Sequence, residues 1–163
     1  MTTVEELAAR LQQLEDERDI ASLIASYGPL VDAGDADGVS ALWAEGGSYD
    51  VEGWHMASRA DVHAMVSSAG HQGLVAAGCC HFLGPVVVTI SGDIAVAVCE
   101  SLVVVRRDDS LVVWRAAANH FQLTRGSGGW QISARKSRLL NGSGEAHALL
   151  KAGVAGESTP PPM

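Results

Sequence analysis

A chain of 163 residues, 47% hydrophobic and 18% charged with a mean hydropathy of +0.14, suits one hydrophobic core and is too short for two comfortable domains. Nineteen acidic against eleven basic residues give a formal charge of −8, which repels phosphate backbones and anionic lipid and makes nucleic acid and membrane surfaces poor partners. No stretch approaches ~20 uninterrupted apolar residues, and Met1-Thr2-Thr3-Val4-Glu5-Glu6 lacks the basic and apolar regions of a signal peptide, so a cytoplasmic location is expected.

Thr3-x-x-Glu6 has the pattern of a capping box, and Leu7, Leu11, Leu14, Leu23, Ile24, Tyr27 and Val31 then recur at helical spacing. Gly28-Pro29 falls inside this helix and predicts a kink, Gly34 closes it, and Asp35 or Asp37 caps a second helix through Leu42 and Trp43. Gly46-Gly47 predicts the end of that helix, followed by a short strand over Ser48–Val51. Ser58-x-x-Asp61 opens a further helix with Val62, Met65 and Val66. Beyond Gly78, three valine- and leucine-rich segments, about 80–90, 94–107 and 111–125, are separated by Ser91-Gly92-Asp93 and Asp108-Asp109-Ser110. A last hairpin at Gly126–Gly129 leads into alternating Trp130–Ala134. Gly142-Ser143-Gly144 reads as a loop, and the proline-rich end predicts a disordered tail over 151–163 beyond a single domain at 1–150. Helices first and an antiparallel meander afterwards define an α+β fold.

Several chemistries lack their motifs. There is no G-x-S-x-G elbow and no phosphate-cradling glycine loop. Six histidines form neither H-x-H nor H-E-x-x-H, and Cys79, Cys80 and Cys99 lack C-x-x-C spacing. No metal and no cofactor is expected, and the cysteines read as reduced core thiols.

The run from Tyr27 through Asp32-Ala33-Gly34-Asp35 to Trp43 resembles the opening of the SnoaL-like, ketosteroid isomerase-like superfamily, also called nuclear-transport-factor-2-like. His81-Phe82-Leu83-Gly84, Ala118-Asn119-His120-Phe121 and Gly129-Trp130-Gln131-Ile132 follow in the matching order. The resemblance implies a cone-shaped curved antiparallel sheet wrapped by the N-terminal helices. It is strongest to the branch holding scytalone dehydratase, the lindane dehydrochlorinase and bile-acid dehydratases, which work without a cofactor through a histidine–aspartate dyad.

Carried over by position, the resemblance places that dyad on His81 and Asp32, a substrate-oxygen donor on Tyr27 and a substrate-positioning group on Asn119. Val51 stands where the isomerase has its aspartate base, and strand alternation turns the adjacent Asp50 to the opposite face. By themselves the residues have simpler readings: Asp32 as a helix-end turn residue, His81 as a hydrogen-bonded core histidine, Tyr27 as a core aromatic. As a pair, a carboxylate that fixes one imidazole nitrogen leaves the other free to take a proton. Tyr49, Trp54, Phe82 and Phe121 are candidates for substrate contact, with Met56, Met65, Leu102 and Val104 as further apolar lining. Arg115 and Glu100 are expected to form a cross-strand ion pair.

These observations predict a cofactor-independent lyase, a dehydratase of hydrophobic alicyclic or polycyclic small molecules. The alternatives are a ketosteroid-type isomerase or cyclase using Asp50, and a non-catalytic ligand-binding cone. The long strands predict a homodimer or homotrimer.

Overall fold

A computed structural model describes residues 1–160. Helix α1 (Val4–Asp32) opens on a complete capping box: Thr3 Oγ1 accepts from the Glu6 N–H, and Glu6 accepts from the Thr3 N–H. The helix stays unbroken through Pro29 and ends at Asp32, with Gly34 in the left-handed region at φ +70°. Helix α2 (Ala36–Ala41) starts on the Asp35 carboxylate and is shorter than expected. Trp43 therefore belongs to strand β1 (Trp43–Val51), and Gly46-Gly47 lies within an irregular stretch of that strand. The expected four-residue strand is thus its second half.

After β2 (Trp54–Met56), helices α3 (Arg59–Ser67) and α4 (Ala69–Ala77) begin on the hydroxyls of Ser58 and Ser68. The segment expected as one strand over 80–90 is two, β3 (Cys79–Leu83) and β4 (Val87–Ser91), separated at Gly84-Pro85 because proline cannot donate to a ladder. Strands β5 (Ile94–Arg107), β6 (Ser110–Gly126) and β7 (Gly129–Leu139) complete a seven-stranded sheet, ordered β2-β1-β7-β6-β5-β3 with β4 also on β5. All pairings are antiparallel except β1 with β7, which is parallel. The sheet is curved and unclosed, the mixed cone expected of an α+β chain.

Alternation on β6 sorts its residues between two faces. Phe121 and Asn119 face α1, where Ile20, Ile24, Val31, Trp43 and Phe121 form a water-free core. Ala118 and His120 face outward, under helix α5 (Gly144–Val154) and the segment after it. The sequence missed α5 because Gly142-Ser143-Gly144 looks like a plain loop, whereas Ser143 Oγ caps the helix by accepting from the Ala146 N–H.

The expectation of a disordered tail from 151 is corrected as far as Pro160. Gln122 Nε2 donates to the Thr159 carbonyl at 3.1 Å and Lys136 Nζ to the Pro160 carbonyl at 3.1 Å, while His120 Nε2 lies 2.8 Å from the Glu157 carbonyl. Residues 161–163 lie outside the described residues. No described helix is long and apolar enough to cross a membrane.

Candidate active site

A cavity of about 400 Å³ opens between the inner sheet face and α3–α4. Its wall is mainly apolar, from Val51, Met56, Met65, Leu74 and Leu83 among others, and its polar groups include Tyr27, Tyr49, His71, His81, Arg115 and Arg135 beside Ser68, Ser101 and Ser137.

Asp32 and His81, 49 residues apart in sequence, meet at the cavity wall. Asp32 ends α1 and His81 is the central residue of β3, which packs against that helix. Gly28 allows this approach, since a Cβ there would overlap the His81 carbonyl. His81 Nδ1 lies 2.6 Å from Asp32 Oδ1, and the His81 backbone N–H donates to Asp32 Oδ2 at 2.7 Å. The two side chains are 16% and 21% exposed, so water is largely but not wholly removed.

The carboxylate orients the ring through Nδ1–H and leaves Nε2 for the cavity. Burial pushes the His81 pKa below its ordinary value, against the opposing pull of Asp32. The imidazole is therefore neutral at neutral pH, the form that accepts a proton.

Tyr27 lines the cavity, 4% exposed, with its ring edge-on to His81 at 6.4 Å. Burial pushes its phenol well above the usual range and keeps the hydroxyl a donor. Tyr49 and Trp54 also line the cavity, Trp54 at the open end, 59% exposed.

Three expected contacts are corrected. Asn119 is fully buried beneath the wall, donating to Ser101 Oγ at 2.8 Å and accepting from Arg135 Nη2 at 2.8 Å. Phe121 lies in the core below Arg135. Phe82 follows His81 on its strand, so alternation turns it to the outer face, where it is 56% exposed. Val104 likewise lies outside the lining, whereas Met56, Met65 and Leu102 belong to it.

The expected Arg115–Glu100 pair is absent: Arg115 donates to Glu52 at 3.2 Å, and it stands opposite Val103 while Glu100 stands opposite Ala118, so strand alternation puts the two on different faces. Val51 lines the cavity, while Asp50 is turned away and clamped by Arg138 at 2.7 and 2.9 Å. That clamp holds the Asp50 carboxyl below its usual range and leaves it unsuited to the isomerase role. Cys80 is exposed rather than in the core.

The sequence reading missed Arg135, which is 4% exposed. Its guanidinium lies 4.2, 4.5 and 5.0 Å from the ring centres of Tyr27, Tyr49 and Phe121. Among the described residues no carboxylate pairs with it, and its Nη1 is buried without a hydrogen-bond partner. Arginine in the polar run Ser133–Arg138 resembles a solvated strand face, and alternation from buried Ile132 would turn Arg135 outward; the extra residue in β7, where Leu123 pairs with Ile132 but Gln122 with Ala134, reverses the alternation and brings Arg135 inside. His71 was also missed. Its Nε2 lies 3.0 Å from the Val31 carbonyl and its ring 5.9 Å from that of His81.

A curved sheet wrapped by helices around an apolar pocket, with polar groups gathered on its wall, defines the nuclear-transport-factor-2-like class of cone proteins. The chain belongs to the SnoaL-like domain family, whose pattern matches residues 12–136. It is similar to an NTF2-like protein with a cystatin-like fold from Novosphingobium aromaticivorans, with 44% identity, TM-score 0.90, and 92% of this chain and 98% of that one covered. It shares its fold with a protein of unknown function from Mycobacterium tuberculosis, at 18% identity, TM-score 0.73, and coverage of 89% and 90%. The fold also recurs in a provisionally assigned scytalone dehydratase from N. aromaticivorans, at 15% identity, TM-score 0.68, and coverage of 78% and 85%. No curated protein matches the chain.

Proposed function

We propose that this protein is a cofactor-independent lyase that removes water from a hydrophobic alicyclic or polycyclic small molecule of steroid, polyketide or terpenoid type. The observation that carries this reading is the 2.6 Å contact between His81 Nδ1 and Asp32 Oδ1 at the wall of an apolar cavity. His81 Nε2 takes a proton from the carbon beside a carbonyl, and the C–H electrons form the enolate. Tyr27 and Arg135 stabilise its oxygen by donating to it. The enolate electrons then expel the neighbouring hydroxyl, which receives the proton held by His81 and leaves as water. A buried cation with an open N–H suits a substrate that brings an oxygen acceptor. Incubating the protein with hydroxylated cyclic ketones and following loss of water by mass spectrometry tests the reaction. A panel on which the cavity retains ligand without turnover would favour a binding cone instead.

In this reading the chain also assembles with copies of itself. Phe82, Leu111 and Val113, with Leu102 and Trp114 at the cavity rim, are exposed on β3, β5 and β6, apolar side chains that a second copy could cover. Sedimentation equilibrium is expected to give a dimer or trimer, and a monomer at micromolar concentration would contradict it.

A further inference from the structure

We propose that Asp32, Cys79 and His81 form a binding site for one soft divalent cation of zinc size. The site does not depend on the lyase reading, because it rests on three donors of different chemistry that converge at one point. Each residue offers one ligand atom, a carboxylate oxygen, the Cys79 Sγ and an imidazole nitrogen, and the three lie within 4.8 Å of one another. Cys79 and His81 stand two apart on β3 and therefore share a face, and Asp32 is brought to that face by the end of α1. Cys79 Sγ lies 3.5 Å from Asp32 Oδ1, where it now donates its proton.

Two of these spacings can be set against those of a tetrahedral ion. Zinc–sulfur and zinc–oxygen bonds at tetrahedral angles put sulfur and oxygen about 3.6 Å apart, and nitrogen and oxygen about 3.3 Å apart. The first already matches. The second requires the 2.6 Å His81–Asp32 contact to open by about 0.7 Å, a movement expected when a cation replaces the proton shared between those atoms. All three residues are partly exposed, so a hydrated ion can reach them, and the fourth position stays open to water.

On binding, the Cys79 thiol releases its proton to solvent and the His81 proton moves from Nδ1 to Nε2. The metal then bonds to sulfur, nitrogen and oxygen, and no group is oxidised or reduced. The bound imidazole has no free lone pair, so cation binding and proton abstraction by His81 exclude one another. Zn²⁺ and Cd²⁺ are thereby cast as inhibitors acting at the dyad itself.

The test is titration of the chelator-treated full chain with Zn²⁺ by calorimetry, and with Cd²⁺ by near-ultraviolet thiolate-to-metal absorbance. One cation per chain is expected. Cys79→Ser should abolish the absorbance and weaken Zn²⁺ binding by no less than the ~10–100-fold lost with an outer-shell partner. Cys80→Ser, on the opposite strand face, should change neither. In the unaltered chain, nitrogen NMR should show Zn²⁺ shifting His81 Nδ1, which keeps the test decisive if Cys79→Ser fails to fold. Absent 1:1 binding, an absorbance that survives in Cys79→Ser, or an unmoved His81 Nδ1 would overturn the proposal.

Discussion

Replacing His81 with glutamine is expected to lower the turnover of any substrate the protein dehydrates by about 10²–10⁴-fold, the usual contribution of a positioned general base. Glutamine retains a group able to donate to Asp32 but has no nitrogen lone pair to take a proton, so fold and cavity should survive while the chemistry stops. Asp32→Asn should also impair turnover, because its amide can donate to His81 Nδ1 and favour the tautomer with the proton on Nε2. The pH profile follows from the burial of His81. With its pKa lowered, the imidazole is neutral at pH 7 and becomes protonated only as pH falls below the ordinary value of about 6.5. Turnover should therefore hold through neutrality and fall on the acid side. Steady-state rates on the most active substrate of the panel check all of this. An unimpaired His81→Gln enzyme would remove His81 from the chemistry.

Gly28→Ala is expected to destabilise the protein by about 1–3 kcal/mol, the range for forcing extra atoms into a packed site. Ordinarily such a change inside a helix stabilises. Here the added methyl would meet the His81 backbone carbonyl, and neither backbone can yield without separating α1 from β3. That separation is the one that brings Asp32 to His81, so the substitution should also loosen the dyad. Gly73→Ala is the control. It lies in α4 with open space around its Cβ position and should be neutral or stabilising by up to about 1 kcal/mol. Chemical denaturation of the two variants beside the parent chain measures the difference.

The contrast between these glycines shows what the sequence could convey. Gly28-Pro29 predicts a kink inside a continuing helix, and the helix does continue, but Gly28 also makes a long-range contact that no local pattern encodes. The capping box at Thr3, the helix start at Ser58 and strand β5 were legible because each rests on neighbours in sequence. The split of β3 from β4 was available in Gly84-Pro85 but was outweighed by the run of apolar residues. Asp32, His81 and Tyr27 were found by resemblance, since each alone reads as a turn or core residue. Asn119 and Phe121 were assigned to the correct sheet face but the wrong depth. Periodicity gives the side a residue faces, not whether another side chain, here Arg135, lies above it. Arg135 was lost for the complementary reason, a charge in a polar stretch that tertiary packing carries inside.

The proposed dehydration requires His81 to offer an unprotonated Nε2 to the cavity while Asp32 holds its Nδ1. Nitrogen-15 NMR of the imidazole reads this directly. The expected spectrum at neutral pH is a neutral ring with the proton on Nδ1, converting to imidazolium only below the ordinary histidine range. A ring protonated on Nε2, or one already doubly protonated at pH 7, would contradict it.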